Sequence, residues 1–286
     1  MNGFNLEGSL VPAMEIMKGG PPKDGIPSID RPLFTVAKES GFTNESQVLG
    51  VLYNGIAKAY PIGILNWHEI VNDVFAGVPV SVTYCPLCGS GMAYLGKIND
   101  KKITFGVSGL LYNSDVLLYD RSTGSLWSQI LNKAVTGEMR GKELTRITTQ
   151  RTSLGAWKEL HPETLVLSTE TGFPRDYQRT PYAGYDKSAQ LYFPIKEKSV
   201  ILHQKELVLG LEVNGKYKAY PISKLADYDD RILVDKIGGE KVTLSWDLNA
   251  ENIEIKDSQG QEVIGIQLFW FAWYAFHSDS EVWSLY

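Results

Sequence analysis

Apolar and polar residues alternate with a period of two along much of the chain, which predicts a protein built mainly from β-strands. The clearest runs are residues 77–84 and 239–246, where apolar positions recur at every second residue, as in a strand with one buried face. Helical patterns are short and fall at residues 64–72 and 153–160, the second of which opens with a serine suited to an N-cap. The aromatic run 268–276 is too short to cross a bilayer as a helix and is interpreted as a buried strand.

Two stretches of the sequence are closely alike. Residues 48–62 (VLGVLYNGIAKAYPI) and 208–222 (VLGLEVNGKYKAYPI) share 10 of 15 positions at a constant offset of 160. Each stretch has Asn-Gly between two strand-like runs, which is a strong signal for a hairpin with a two-residue turn. Weaker matches follow in the same order in both halves, so the sequence predicts an internal duplication.

The predicted fold class is therefore α+β and dominated by β-structure, with two homologous β-rich units and few short helices. We expect an N-terminal arm over residues 1–42, a first unit over 43–130, a connecting segment over 131–202 and a second unit over 203–286. The connecting segment contains the second helical pattern and a long Gly- and Tyr-rich loop at residues 171–193. Loops of that length are often functional, although a simple surface loop is the alternative.

Size and charge narrow the classes of function. The chain has 286 residues, of which 43% are hydrophobic, enough for a large core. The net charge is −5 and no basic stripe is present, which argues against nucleic acid as a partner. No apolar stretch has the length of a membrane span, and the first residues lack the pattern of a signal peptide. We therefore expect no transmembrane segment, in a protein that is either cytoplasmic or exported with its signal removed.

The most distinctive chemistry lies in the segment Cys-Pro-Leu-Cys-Gly at residues 85–89, directly after a predicted strand. Two thiols at this spacing form a local disulfide, a redox dithiol or half of a metal site. The Cys-Pro-x-Cys-Gly turn is typical of zinc ribbons and related sites. The second half keeps the strand but has Asp247 and Ala250 in place of Cys85 and Cys88, so the thiols are not needed to build such a strand.

Three functions remain open, and the sequence does not decide whether the protein is an enzyme or identify a small-molecule substrate. In the first, Cys85 and Cys88 bind zinc or copper together with other ligands, since thiolate and imidazole suit both metals. In the second, the protein is a dithiol oxidoreductase on a fold other than that of thioredoxin. In the third, it is a non-catalytic ligand-binding module in which the cysteines form a structural pair.

Histidines and one Asp-Arg pair supply further candidates. His68 is the first choice for a third metal ligand, because it lies in the helical pattern that precedes the cysteine strand. His277, after the aromatic run, is the expected fourth ligand, and His203 is the reserve. Asp120, at the end of a predicted strand, and Arg121 after it are candidates for catalysis or for anchoring a substrate, with a buried ion pair as the alternative.

Several strings, taken together, resemble one known family. They are GGPPKDGIPSIDRPLF (19–34), LNWHEIVND (65–73), VTYCPLCGSG (82–91), FGVSGLLYNSD (105–115), LYDRSTGSLWSQ (118–129) and FAWYAFHSDSEVW (271–283). Over nearly its whole length the chain resembles the uncharacterised prokaryotic family catalogued as domain of unknown function 3179.

The resemblance implies no settled activity. It does imply that members are often exported or lipid-anchored, which favours an extracytoplasmic, for example periplasmic, location. The chain departs from the family pattern at Ser278, where proline is expected after the histidine. The motif residues that the resemblance carries over are Cys85, Cys88, His68, Asp120, Arg121 and His277.

Overall fold

The computed structural model describes residues 1–99, 101–247 and 252–284, and β-structure dominates among them. The strands, in chain order, are β1 (Ile16–Lys18), β2 (Phe34–Val36), β3 (Gln47–Tyr53), β4 (Ile56–Pro61), β5 (Ile70–Phe75), β6 (Val78–Cys85), β7 (Ser90–Leu95), β8 (Lys97–Ile98), β9 (Lys101–Lys102), β10 (Phe105–Tyr112), β11 (Asp115–Asp120), β12 (Leu126–Ser128), β13 (Lys133–Ala134), β14 (Arg146–Ile147), β15 (Thr149–Ser153), β16 (Leu165–Leu167), β17 (Leu207–Val213), β18 (Lys216–Pro221), β19 (Ile232–Ile237), β20 (Glu240–Trp246), β21 (Ile253–Asp257), β22 (Ile266–Phe269) and β23 (Glu281–Val282). The α-helices are α1 (Ile62–His68), α2 (Leu154–Leu160), α3 (Ile222–Ala226) and α4 (Trp270–Phe276), and two 3₁₀ turns lie at Ala13–Glu15 and Ala37–Glu39.

Five sheets of three to five strands form a five-bladed β-propeller. Their strand orders are β1-β10-β11-β12-β13, β14-β7-β6-β5, β15-β3-β4-β16-β2, β22-β17-β18-β23 and β19-β20-β21. A further two-stranded sheet consists of β8 and β9. Among the described residues, no helix combines the length and the apolar character that a membrane span requires.

The predicted architecture of two duplicated β-rich units was therefore wrong. Strands from residues 131–202 complete the sheets of the supposed first unit, since β15 pairs with β3, β16 with β4 and β14 with β7. The supposed irregular arm also contributes β1 and β2. A hairpin leaves two strand edges unpaired, and its own residues do not determine which distant strand fills each edge. The alike stretches are thus hairpins within two blades, while the predicted boundaries near residues 43, 131 and 203 remain a prediction.

The predictions of hairpin turns and of the helix N-cap were confirmed. Both Asn-Gly pairs form hairpin turns, and all four residues have positive φ, namely Asn54, Gly55, Asn214 and Gly215. Helix α2 begins after Ser153, whose hydroxyl accepts a hydrogen bond from the backbone amide three residues later. These features depend on a few neighbouring residues, so the sequence predicts them well.

Two elements differ from the prediction. Helix α1 stops at His68, because Glu69 takes a left-handed conformation with φ of 58° and turns the chain into β5. The aromatic run is a strand only as far as Phe269 and then continues as helix α4, most of whose side chains are buried. A short run that is apolar on every side has no period from which strand and helix can be told apart.

The cysteine turn lies where separate parts of the chain meet. The backbone amide of Phe269, in β22, donates a hydrogen bond to the carbonyl oxygen of Cys88 at 2.8 Å. The amide of Arg151, in β15, donates to the side chain of Gln267 in β22 at 2.8 Å. The core around both cysteines accordingly includes residues from β6, β10, β22 and α4.

Candidate metal centre

The cysteine segment forms the turn between β6 and β7. Cys85 ends β6 and pairs with Ser90 at the start of β7, and Gly89 has a φ of 63°, which this tight exit requires. Both cysteines are free and buried, and Cys88 is completely inaccessible to solvent. The local disulfide that the spacing allowed is therefore not formed.

A second tight turn brings a carbonyl group to the two sulfurs. Asn113 and Ser114 connect β10 to β11 and both have positive φ, 51° and 64°, the signs of a type I′ hairpin turn. The carbonyl oxygen of Ser114 accepts hydrogen bonds from the thiols of Cys85 at 3.8 Å and Cys88 at 3.4 Å. The Ser114 hydroxyl donates to the carbonyl oxygen of Phe193 at 2.8 Å, which fixes this turn against the long loop.

Asp115 follows the turn and places a carboxylate beside the thiols. Ligand atoms of Cys85, Cys88 and Asp115 all lie within 4.8 Å of one another, and all three residues are buried. One carboxylate oxygen accepts a hydrogen bond from the amide of Ile130 at 3.1 Å. The other, Oδ1, is buried with no hydrogen-bond partner among the described residues. An unpaired buried acceptor costs about 1–3 kcal/mol, so a cation bound there would be stabilised.

The protonation of the site depends on its burial. Burial raises the pKa of Asp115 to about 7, although several backbone amides oppose the shift. Burial, with a smaller contribution from Asp115, raises the pKa of Glu69 to about 8. Burial is the main reason why the pKa of the Cys88 thiol lies well above its ordinary value. The neighbouring Cys85 and, to a smaller extent, Asp115 raise this pKa further. A bound divalent cation would reverse these shifts, because it stabilises the deprotonated ligands.

The long loop of residues 171–193 covers the thiols. Tyr185, in this loop, is 2% exposed and packs in the same core cluster as both cysteines. Lys205 holds the loop at one end, since its ammonium group donates to three loop carbonyls at 2.5 to 2.7 Å. At the other end the hydroxyl of Tyr177 lies 2.7 Å from Nε2 of His68. The loop is thus fixed by the body of the protein on both sides of the site.

The predicted histidine ligands have other contacts in this structure. Nδ1 of His68 lies 2.7 Å from the carbonyl oxygen of Pro27 and must carry the proton, so Nε2 accepts from the Tyr177 hydroxyl. Nδ1 of His203 accepts a hydrogen bond from the amide of Lys205 at 3.2 Å.

His277, at the end of α4, stacks on Tyr217 with ring centroids 4.1 Å apart and contacts Trp273 at 4.3 Å. Among the described residues, the group that could hold a metal contains none of these three histidines. Their assignment as ligands stays a prediction.

Asp120 and Arg121 have partners of their own. Although burial opposes it, hydrogen bonds from Trp127 and from the following turn hold the pKa of Asp120 below its ordinary value. Arg121 lies 3.4 Å from Asp30 and so ties the N-terminal segment to β11. Neither residue belongs to the group around the cysteines, and their catalytic role also stays a prediction.

The sequence did not single out Asp115 or Glu69 as residues of the site. The available signal for Asp115 was the polar string Asn-Ser-Asp between two apolar runs, because such a string predicts a hairpin turn that can place its last residue next to another turn.

A protein-family model described as "Protein of unknown function (DUF3179)" matches residues 23–280. The match covers nearly the whole chain and confirms the resemblance inferred from the sequence strings. No curated protein and no solved structure matches the chain. The comparisons therefore assign no activity to the chain, and a proposal for its function depends on the geometry of the site.

Proposed function

We propose that this chain, which belongs to the DUF3179 family of proteins of unknown function, binds Zn²⁺ through Cys85, Cys88 and Asp115. The observation that carries the proposal is the unpartnered buried oxygen of Asp115 beside two free thiols. Zinc accepts thiolate and carboxylate ligands in one site. The carboxylate favours zinc over copper(I), which prefers soft sulfur ligands.

The charges of the site support a cation. With both thiols and Asp115 deprotonated, three negative charges would lie in the protein interior, where unpaired charges cost several kcal/mol each. No basic side chain is among the described groups that shift the pKa of Asp115 or Cys88. A divalent cation would offset two of the three charges and supply the partner that Oδ1 of Asp115 lacks.

The three ligands found among the described residues favour a site that exchanges a small ligand. Structural zinc sites have four protein ligands, whereas catalytic sites have three and leave one position for water or substrate. Glu69 is buried, interacts electrostatically with Asp115 and has a pKa raised to about 8. A bound cation would lower this pKa toward neutrality, and a carboxyl group that titrates near neutral pH suits proton transfer to a group at the open position.

Elemental analysis of protein purified without added metal tests the proposal. We expect about one zinc ion per chain in the wild type, and its loss in Cys85→Ser and Asp115→Asn. Asp120→Asn is the matched control, because Asp120 is a buried carboxylate on the same strand whose hydrogen bonds all lie within its own turn and with Trp127. This control should retain zinc.

A wild type without stoichiometric zinc would refute the proposal. So would zinc that persists in both Cys85→Ser and Asp115→Asn, provided that circular dichroism shows the variants folded. Cobalt substitution adds an independent readout, since thiolate-to-cobalt absorption appears only when sulfur binds the ion.

The dithiol alternative has less support. Reactive thiols are accessible and have lowered pKa values, whereas Cys88 is fully buried and its pKa is raised.

The extracytoplasmic location implied by the resemblance remains part of this proposal, and fractionation of cells that make the native protein would test it.

A further inference from the structure

A second set of unpartnered polar groups surrounds a cavity of about 230 Å³, away from the thiols. The cavity lies between the chain segment 130–146 on one side and β17, β18 and α4 on the other. Four residues with polar side chains that could contact a ligand line this cavity, namely Arg146, His277, Asn132 and Tyr217.

Arg146 supplies an uncompensated positive charge. It is partly buried, and its guanidinium group has no hydrogen-bond or ion-pair partner in the described part of the chain. The neighbouring Lys133 is paired with Glu143 at 2.9 Å, so both of those charges are compensated. The remaining acid of the lining, Glu212, is exposed to solvent. A planar guanidinium matches carboxylate and phosphate groups with two parallel hydrogen bonds.

His277 supplies a donor and an acceptor. Its ring is held between Tyr217 and Trp273, and it is 9% exposed, yet neither ring nitrogen has a hydrogen-bond partner among the described residues. Burial lowers its pKa to about 4, so the ring is neutral at pH 7, with one N–H donor and one acceptor.

Asn132 adds a second acceptor at the same cavity. Its Oδ1 is buried and has no partner within residues 1–99, 101–247 and 252–284, whereas its Nδ2 donates to the carbonyl oxygen of Leu144 at 2.8 Å. Buried polar groups are nearly always hydrogen-bonded, so several unpaired groups around one cavity point to a ligand that completes their bonds.

We propose that this cavity binds a small molecule that carries a carboxylate or phosphate group, with Arg146 as its anchor and His277 and Asn132 as further polar contacts. The volume is below the 300–1,000 Å³ that is usual for drug-sized ligands, which excludes a dinucleotide. The site is separate from the thiols and does not depend on a metal. Ile130 lies between the two, since its amide bonds to Asp115 while the residue also lines the cavity.

Titration of the full chain with succinate and with inorganic phosphate tests this inference. We expect at least one probe to raise Tm saturably and to shift the NMR signal of the His277 ring, which a His277→Gln spectrum identifies. The tighter probe distinguishes carboxylate from phosphate. Arg146→Gln should weaken binding at least about tenfold, because it removes a charge-assisted hydrogen-bond pair. Arg179→Gln removes the same charge from an 85% exposed side chain and should leave binding unchanged.

Two results would overturn the inference. One is an unshifted His277 signal in the wild type at millimolar concentrations of both probes. The other is equal affinity in the wild type and in folded Arg146→Gln. The first measurement uses only the wild type, so an unstable Arg146 variant does not leave the question open.

Discussion

His277 is held uncharged between two aromatic rings, and this makes the stability of the fold depend on pH. Burial lowers its pKa from about 6.5 in the unfolded chain to about 4 in the folded one. Below pH 6.5 the unfolded chain therefore binds a proton that the folded chain does not, and stability falls as the pH drops toward 4. The full shift corresponds to about 3 kcal/mol.

We expect His277→Phe, which keeps a ring between Tyr217 and Trp273, to remove this loss between pH 6.5 and 4. Urea unfolding of both proteins across that range measures it. Asp115 and Glu69 have raised pKa values and act in the opposite direction, since their contribution to stability decreases as the pH rises. The informative quantity is therefore the difference between wild type and variant, and parallel pH profiles would contradict the assignment.

Among the individual residues of the site, the sequence indicated the two thiols but not Asp115, which lies beside them. The Cys-Pro-x-Cys-Gly string is a local signal, so Cys85 and Cys88 could be recognised without a fold. Asp115 reaches them only because a buried turn from another sheet faces the cysteine turn. His68 precedes the cysteine strand closely in sequence, but α1 ends there and the ring contacts Pro27 and Tyr177. Contacts of this kind depend on packing between distant segments.

Among the elements, helices α2 and α4 are alike in how they pack. Each places a buried tryptophan on a strand glycine, Trp157 on Gly50 of β3 and Trp273 on Gly210 of β17. The indole N–H of Trp157 donates to a threonine hydroxyl at 2.8 Å, and that of Trp273 donates to a serine hydroxyl at 2.7 Å. The two rings are therefore fixed and cannot easily move away from an added methyl group.

We expect Gly50→Ala and Gly210→Ala each to lower the free energy of unfolding by about 1–3 kcal/mol, the usual cost of overpacking a core. Urea unfolding monitored by tryptophan fluorescence measures the effect. Leu52→Ala is the control, because Leu52 lies in the same strand as Gly50 but is 47% exposed. An effect at Gly50 no larger than that at Leu52 would show that the tryptophan packing is looser than described.

The contacts of Lys205 with the long loop at residues 171–193 also allow a prediction about stability. The Lys205 side chain is 5% exposed and satisfies three loop carbonyls. Lys205→Met keeps the apolar stem but leaves these acceptors without a partner, so we expect a loss of about 2–4 kcal/mol. Faster proteolysis within residues 171–193 should accompany it. Lys187→Met, at an exposed position of the same loop, is the control and should change neither quantity.

Local elements could be predicted from the sequence, whereas the pairing of distant strands could not. A hairpin turn and a helix cap depend on four or five neighbouring residues, and the sequence predicted both. The partners of β3, β4 and β7 come from residues about 50 to 110 positions further along the chain. The likeness between residues 48–62 and 208–222 favoured duplicated units, but it concerned hairpins that occupy two blades of a larger assembly.

For the whole molecule, the important feature is that the thiols lie where several sheets meet. The cysteine turn contacts β22 through Phe269, the β10–β11 turn through Ser114, and the long loop through the core around Tyr185. Exposure of either thiol therefore requires these parts to separate.

We expect the thiols of the metal-free protein to resist Ellman's reagent in the native state. They should become reactive over the same urea range in which circular dichroism reports global unfolding. Cys85→Ser gives the reactivity of Cys88 alone. Rapid labelling of the native chain would contradict the tight junction and would revive the dithiol alternative.

The loop held by Lys205 has a consequence for how an ion would enter and leave. Departure of a bound ion would require the parts that enclose the thiols to separate, the loop among them, so a chelator would extract the ion at a rate set by that opening and independent of chelator concentration. Residence time would then be decoupled from equilibrium affinity, and the ion would be kinetically trapped. Loading would occur while the nascent chain is still closing over its thiols, and the metal supply at that moment would determine which ion the mature protein keeps.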